Sequence, residues 1–140
     1  MPRKRSRKTQ VKLTDEWFSK YIRLRDADDK GTCCCITCGR RKNWKAVHAG
    51  HFIKRSVKEL RWDEKNVHVQ CPGCNTYRDG NLAIYGHEII QRYGIKEHER
   101  MIKIKKSMKP CYIGIKKLRE IEEKYKKKAQ KLAEDKGIEL

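Results

Sequence analysis

The sequence predicts an α+β protein in which a small cysteine-held core is flanked by helices and followed by a long basic helix. Two cysteine pairs predict the core, Cys35 with Cys38 and Cys71 with Cys74, each with the two-residue spacing of a metal-binding knuckle. The charge predicts the flanks, because 36 lysine and arginine residues face 18 acidic ones in 140 residues. With 37% hydrophobic residues, the apolar core is modest and needs further support.

The net charge of +18 is typical of a protein that binds a polyanion. Such a charge repels itself in the compact state, and DNA phosphates relieve the repulsion while releasing condensed counterions. A membrane surface is the alternative polyanion, but no run approaches the roughly 18 apolar residues of a spanning helix. The basic N-terminus also leads into no apolar signal region. We therefore expect duplex DNA as partner, no membrane, and a cytoplasmic protein.

The seven cysteines indicate metal or redox chemistry, because no export signal favours disulfides. The two knuckles are separated by residues 39–70, and their four thiolates can close a tetrahedral structural zinc site. Cys33 or Cys34 could replace Cys35, but the two-residue spacer followed by Gly39 favours Cys35. A redox thiol pair is the alternative. Cys111 is predicted to be an unrelated, partly buried thiol.

Three regions are predicted along the chain. Residues 1–12 hold six basic side chains and no acid, which predicts a disordered basic arm or solvated tail. Residues 13–110 form the zinc-held domain, beginning with a helix that Thr14 caps. Residues 111–140 form a basic helix whose apolar seam packs on the domain or pairs with a second copy; the seam consists of Leu118, Ile121, Tyr125, Ala129 and Leu132.

The order of elements around the knuckles predicts the core fold. Residues 44–52 indicate a short hairpin or β-ribbon, residues 54–65 a loop, and residues 66–69 an extended piece. After the second knuckle, residues 77–93 predict a helix that Gly94 ends. Knuckle, hairpin, knuckle and helix follow one another in a treble-clef zinc fold.

Two histidines and two asparagines lie close to the knuckles. His48 and His51 stand between them, while Asn66 and Asn75 stand at the entrance and exit of the second. A metal-dependent nuclease needs a neutral imidazole that takes a proton from water, a hard cation on the scissile phosphate, and positive charge. The sequence thus predicts an endonuclease of the HNH kind, whose ββα-metal core is also called the His-Me finger.

Each residue has an expected role. His51 is the predicted general base, because an imidazole with a pKa near about 6.5 accepts a proton at neutral pH. His48 and Asn75 are the candidate ligands of the catalytic cation. Asn66 would orient the His51 imidazole or its loop through hydrogen bonds. Arg61 could clamp a DNA phosphate with two hydrogen bonds.

A rival assignment uses a histidine as zinc ligand. In it, His48 or His51 replaces one cysteine and is purely structural. The other histidines, His68, His87 and His98, lack such neighbours and are predicted to be structural or surface residues, although His68 lies near the second knuckle.

Several ordered motifs over roughly residues 20–105 resemble the phage NinG/Rap recombination protein family. The resemblance implies a structure-specific endonuclease of phage or prophage origin that cuts branched recombination intermediates: Holliday junctions, D-loops and forks. The arrangement is also similar to that of the phage T4 junction resolvase, endonuclease VII. The motifs are Tyr21–Asp26, Cys35–Gly39, Ala49–His51, Arg61–Asn66, Gln70–Cys71, Cys74–Asn75 and Gly80–Leu82.

Two departures from these families affect the cation site. Gly50 stands where the resolvase has its carboxylate ligand, and His48 stands where NinG-like sequences have an acid. Because a histidine ligand is softer than a carboxylate, we expect activity with magnesium or manganese, and more with manganese. Symmetric cutting of a junction needs two active sites, which implies a homodimer. The alternative function is a noncatalytic zinc-finger DNA- or RNA-binding protein.

Overall fold

Helices surround two small antiparallel sheets in the structure, a computed structural model that describes residues 4–140. The α+β class is therefore confirmed. The helices are α1 (Arg7–Arg25), α2 (Lys58–Arg61), α3 (Leu82–Tyr93), α4 (Ile95–Ser107) and α5 (Ile115–Lys136). The strands are β1 (Thr32–Cys34), β2 (Arg41–Asn43), β3 (His48–His51) and β4 (Val67–Gln70). In the part of the chain that is described, no helix is both long and apolar enough to cross a bilayer.

Helix α1 begins earlier than predicted. It starts at Arg7, because the Ser6 hydroxyl accepts a hydrogen bond from an amide of the first turn. Thr14, the predicted cap, lies inside the helix. The predicted disorder is therefore wrong for residues 7–12, while residues 1–3 of that arm lie outside the described residues.

Packing between α1 and α5 explains the longer helix. The buried Thr14 hydroxyl lies 2.8 Å from the carbonyl of Gln10 and 3.0 Å from that of Leu118. The rings of Phe18 and Tyr125 meet edge to face, with centroids 4.7 Å apart. Leu118, Tyr125 and Ala129 of the α5 seam are thus buried within the chain, while Ile121 and Leu132 are partly buried against the core that α1 and α5 share.

The two sheets set the positions of the knuckles. β1 pairs with β2, and the first knuckle forms the turn between them. β3 pairs with β4, so that His48 faces Gln70 and His51 faces Val67. The hairpin predicted over residues 44–52 is wrong in detail, because residues 44–46 form a 3-10 turn and only the following segment is a strand.

The second knuckle leads into the helical half of the domain. A π-helical turn over Gly73–Tyr77 precedes α3, and Gly94 ends α3 with a φ of 90°. The predicted helix over residues 77–93 is therefore confirmed from Leu82 onward. The predicted loop over residues 54–65 contains the short helix α2. A second apolar cluster, which includes Phe52, Leu60, Tyr85, Ile89 and Met101, joins these helices.

Candidate metal centre and catalytic cleft

The structure brings the four knuckle cysteines together. The sulfur atoms of Cys35, Cys38, Cys71 and Cys74 all lie within 4.8 Å of one another, and all but Cys38 are buried. Cys33 points elsewhere, because its sulfur lies 3.3 Å from the carbonyl oxygen of Arg23. Among the described residues, this potential metal-ligand group contains no histidine.

Hydrogen-bond donors surround the sulfurs and fit a thiolate site. The Thr37 hydroxyl lies 3.3 Å from the Cys35 sulfur, and the Cys74 amide donates to the Cys71 sulfur at 3.4 Å. The Asn81 amide donates to the Cys74 sulfur at 3.8 Å. Burial raises the pKa of Cys35, but hydrogen bonds from Thr37 and from backbone amides outweigh it and lower that pKa to about 6. The four cysteines could therefore hold a structural metal such as zinc.

Next to this cluster lies an open cleft of about 720 Å³, which we call the His51 cleft. His48, His51 and Asn75, three of the predicted site residues, line it. The connection to the cysteine cluster is covalent, because Asn75 directly follows Cys74. The second cysteine knuckle thus fixes one wall of the cleft and the strand β3 fixes the other.

Among the described residues, His51 has a hydrogen-bond partner for only one of its ring nitrogens. Its Nε2 lies 2.8 Å from the carbonyl oxygen of Arg61. Because a carbonyl only accepts hydrogen bonds, Nε2 carries the proton and Nδ1 has the lone pair. Burial lowers the pKa of His51 below its ordinary value of 6.5, the Arg61 carbonyl opposes this, and the charge of Arg55 lowers the pKa further. His51 is therefore a neutral base at neutral pH.

His48 and Asn75 are in direct contact at the mouth of the cleft. The Asn75 side-chain nitrogen lies 2.9 Å from His48 Nδ1, so the amide donates to the imidazole. The bond uses the amide nitrogen and Nδ1, so a cation bound between Nδ1 and the amide oxygen would require the Asn75 amide to turn over. Asp79, an exposed residue with a φ of 49°, also lines the cleft and was missed from the sequence. The only signal for it was the turn dipeptide Asp79-Gly80.

Gln70 explains the missing carboxylate at position 50. A Cβ atom on Gly50 would overlap the side-chain amide of Gln70, with the amide carbon only 2.7 Å away. That amide is held in place, because its nitrogen donates to the Gly80 carbonyl at 2.8 Å and to Thr37 at 3.2 Å. Its oxygen is buried and has no hydrogen-bond partner in the described structure. In this fold, position 50 has room only for glycine.

Asn66 acts on the loop and not on the imidazole. It is fully buried, and its side chain accepts from the Ile53 amide at 2.7 Å while donating to the carbonyls of Ile53 and Leu60. These bonds close the segment between β3 and β4. Asn66 thus holds the backbone carbonyl of Leu60, which is next in sequence to Arg61, whose carbonyl is the hydrogen-bond partner of His51.

Arg61 is already paired. Its guanidinium makes two hydrogen bonds to the Asp15 carboxylate, including one of 3.1 Å from Nε, and Trp62 donates to the same carboxylate at 3.0 Å. The bidentate geometry that the sequence assigned to a phosphate is therefore occupied by Asp15 on α1, and the phosphate contact stays a prediction. Arg55, 63% exposed at the rim of the cleft, is the arginine that sequence reasoning missed.

His68 has the structural role predicted for it. It is fully buried, and its ring nitrogens lie 2.7 Å from the Tyr93 hydroxyl and 3.3 Å from the Tyr85 hydroxyl. Tyr85 in turn donates to the Gly50 carbonyl at 2.6 Å, which fixes β3 next to His51. Burial, with the charge of Arg25, lowers the pKa of His68 to about 3, so His68 stays neutral.

The fold and the site define a small α+β protein in which four clustered cysteines that could hold a metal lie beside an open cleft lined by histidine and asparagine. A sequence profile described as "Bacteriophage Lambda NinG protein" matches residues 2–135. The chain belongs to the NinG family, which confirms the resemblance seen in its motifs.

Individual relatives agree with this membership. The chain is 36% identical to protein ninG of Escherichia phage 933W over 86 residues, which are 60% of this chain and 40% of that protein. It is 36% identical to protein ninG of Salmonella phage P22 over 87 residues, or 61% and 40% of the two chains. Protein ninG of Escherichia phage lambda is 35% identical over 86 residues, or 60% and 39%. The chain thus spans about two fifths of the relatives it matches. No solved structure matches.

Proposed function

We propose that this chain is a divalent-metal-dependent DNA endonuclease of the HNH, or His-Me finger, kind, built on a treble-clef zinc core. Its substrates are branched recombination intermediates: Holliday junctions, D-loops and forks. The observation that supports this most is that His51, which is neutral and hydrogen-bonded only through Nε2 among the described residues, lines the same cleft as His48 and Asn75. The chain would act in the cytoplasm of a phage-infected or lysogenic bacterium, as a homodimer on a symmetric junction.

The order of elements supports the treble-clef assignment. The first knuckle lies in the β1–β2 turn, the β3–β4 ribbon follows, and the second knuckle leads through the π-helical turn into α3. This order places a histidine of the ribbon opposite the residue that follows the second knuckle. His48 of the ribbon makes this contact with Asn75, and His51 lies three residues further along the same strand.

The proposed reaction is hydrolysis of one phosphodiester bond. A water molecule near His51 gives its proton to Nδ1 as its oxygen attacks phosphorus, and the bond from phosphorus to the leaving oxygen breaks. His48 and Asn75 would hold magnesium or manganese, which supplies Lewis-acid stabilisation of the leaving oxygen. The histidine ligand favours manganese. Asn66 and the Arg61 carbonyl would hold the imidazole on its Nε2 side and leave Nδ1 for the water molecule.

A cleavage assay tests the proposal. The purified chain is incubated with a labelled four-way junction, a Y-fork and a linear duplex, in magnesium or manganese. We expect the branched DNAs to be cut, faster in manganese, and we expect His51→Ala to lose roughly 100- to 10,000-fold in rate. His87→Ala is the matched control, because His87 is an exposed histidine on α3.

One outcome of this assay would contradict the proposed endonuclease. If the wild-type chain binds these DNAs but cuts none of them in either cation, the proposal fails and the chain is a noncatalytic zinc-finger nucleic-acid-binding protein. The hydrogen bond from the Asn75 amide nitrogen to His48 Nδ1, which occupies one candidate ligand atom of His48, is the observation that favours this second function.

A further inference from the structure

We infer that one face of α1 is the surface along which a DNA duplex arm runs into the His51 cleft. The inference rests on the proposed function for its substrate class. The surface, here called the α1 groove, is defined by four basic residues of α1 together with Arg55: Lys8, Lys12, Lys20 and Arg23.

The four basic residues of α1 lie on one side of the helix. Lys8 and Lys12 are one turn apart, Lys20 lies two turns further on, and Arg23 follows Lys20 by three residues. The buried residues of α1, such as Thr14 and Phe18, lie on the other side against α5 and the core. The basic side of α1 therefore faces solvent.

The charge of the groove suits a phosphate backbone. Of the side chains that line it, six are basic and two are acidic. One of the acids, Asp15, is already neutralised by Arg61 and lies 3.9 Å from Arg55. The excess of positive charge along the groove therefore remains available to phosphates.

The groove has the length of a duplex contact. At about 1.5 Å per residue, the rise from Lys8 to Arg23 is about 22 Å. A duplex rises about 3.4 Å per base pair, so the groove can follow about six base-pair steps of one strand. Several phosphates can thus be contacted in a row.

The groove is continuous with the His51 cleft. Asp15, Ser19, Arg23 and Arg55 line both surfaces. Arg23 is held at the connection, because its guanidinium donates to the Trp44 carbonyl and to the Ser19 hydroxyl, each at 3.1 Å. A strand that follows the groove therefore reaches the cleft in which His51 and Asn75 lie.

Two matched double variants test the groove. Lys8→Glu with Lys12→Glu reverses two exposed lysines one turn apart on α1. Lys127→Glu with Lys131→Glu reverses two exposed lysines at the same spacing on α5, and neither of these lines the groove or the cleft. Both variants lower the net charge by the same amount, so a difference between them depends on where the charges lie.

Binding of a labelled four-way junction is measured by fluorescence anisotropy over a range of salt concentrations, with magnesium and manganese absent so that no cutting occurs. We expect the α1 variant to weaken binding at least about tenfold and to reduce the slope of log K against log salt by about 2, one unit for each lost phosphate contact. The α5 variant should weaken binding less than about threefold.

Equal weakening by the two variants, or wild-type affinity of the α1 variant, would overturn the inference. The test is independent of catalysis, because it measures binding alone. If the wild-type chain cuts no DNA but the α1 variant alone binds poorly, the proposed endonuclease fails and the groove stands. If His51→Ala abolishes cutting while both lysine variants bind alike, the groove fails and the endonuclease stands.

Discussion

The cysteine cluster and the His51 cleft share the second knuckle but differ in how completely the protein fills them. The cluster is closed, with four sulfurs together, three of them buried, and hydrogen-bond donors around them. The cleft is open, with an exposed His48, a free Nδ1 on His51 and no side chain at position 50. Structural metal sites are closed, whereas catalytic sites keep an open position for water or substrate. Under the proposed function, this difference fits a structural metal at the cysteines and catalysis in the cleft.

The largest expected effect is on the closed site. Cys74→Ala should abolish the cooperative thermal transition, because structural zinc supplies roughly 10–16 kcal/mol in zinc-finger peptides, as much as the whole stability of a typical domain. Circular dichroism melting and zinc content per chain measure this. Cys34→Ala is the control, since Cys34 is exposed and lies outside the cluster.

The melting and zinc content of these two variants can contradict the proposal that a metal holds the fold. The control should keep its zinc and change the free energy of unfolding by less than about 0.5 kcal/mol. A Cys74→Ala chain that melts like the wild type would show that no metal holds the fold, and the cysteines would then be ordinary buried thiols.

A smaller effect is expected at the open site. Gly50→Ala should lower the free energy of unfolding by about 1–3 kcal/mol, because the added Cβ overlaps the Gln70 amide. Urea denaturation measures the change. Gly114→Ala is the control, since Gly114 has a φ of −71° and the nearest atom to an added Cβ is 4.0 Å away. Equal stability of Gly50→Ala and the wild type would mean that a carboxylate could also have occupied position 50.

The spacing within the two knuckles predicted the cysteine cluster and the residues beside it. The cysteine pairs predicted the cluster, and the position of Asn75 after Cys74 predicted its approach to His48. These contacts follow from short segments around one metal-binding group. Gly94 likewise ended its helix as predicted, because the chain there needs a positive φ.

Contacts between distant segments could not be predicted in this way. Arg61 pairs with Asp15, which lies 46 residues earlier. The guanidinium that the sequence predicted to be available for a phosphate is therefore already hydrogen-bonded. The early start of α1 depends on α5, whose Leu118 carbonyl receives the Thr14 hydroxyl 104 residues away. The contact of the Gln70 side chain with Gly50 depends on the register of β3 and β4, which neither segment's sequence predicts.

The central claim is that the four cysteines hold the structural metal without His51, so that His51 is available as a neutral base. The pH dependence of DNA cleavage tests this claim most directly. Burial lowers the pKa of His51 below 6.5, and a base acts when it is unprotonated, so activity is present above that pKa and is lost as the pH falls through it. Single-turnover rates on the four-way junction between pH 5 and 8 should therefore still exceed about half of their plateau at pH 6.5. An acid limb centred above 6.5, or the same limb with the same rates in His51→Ala, would contradict the claim.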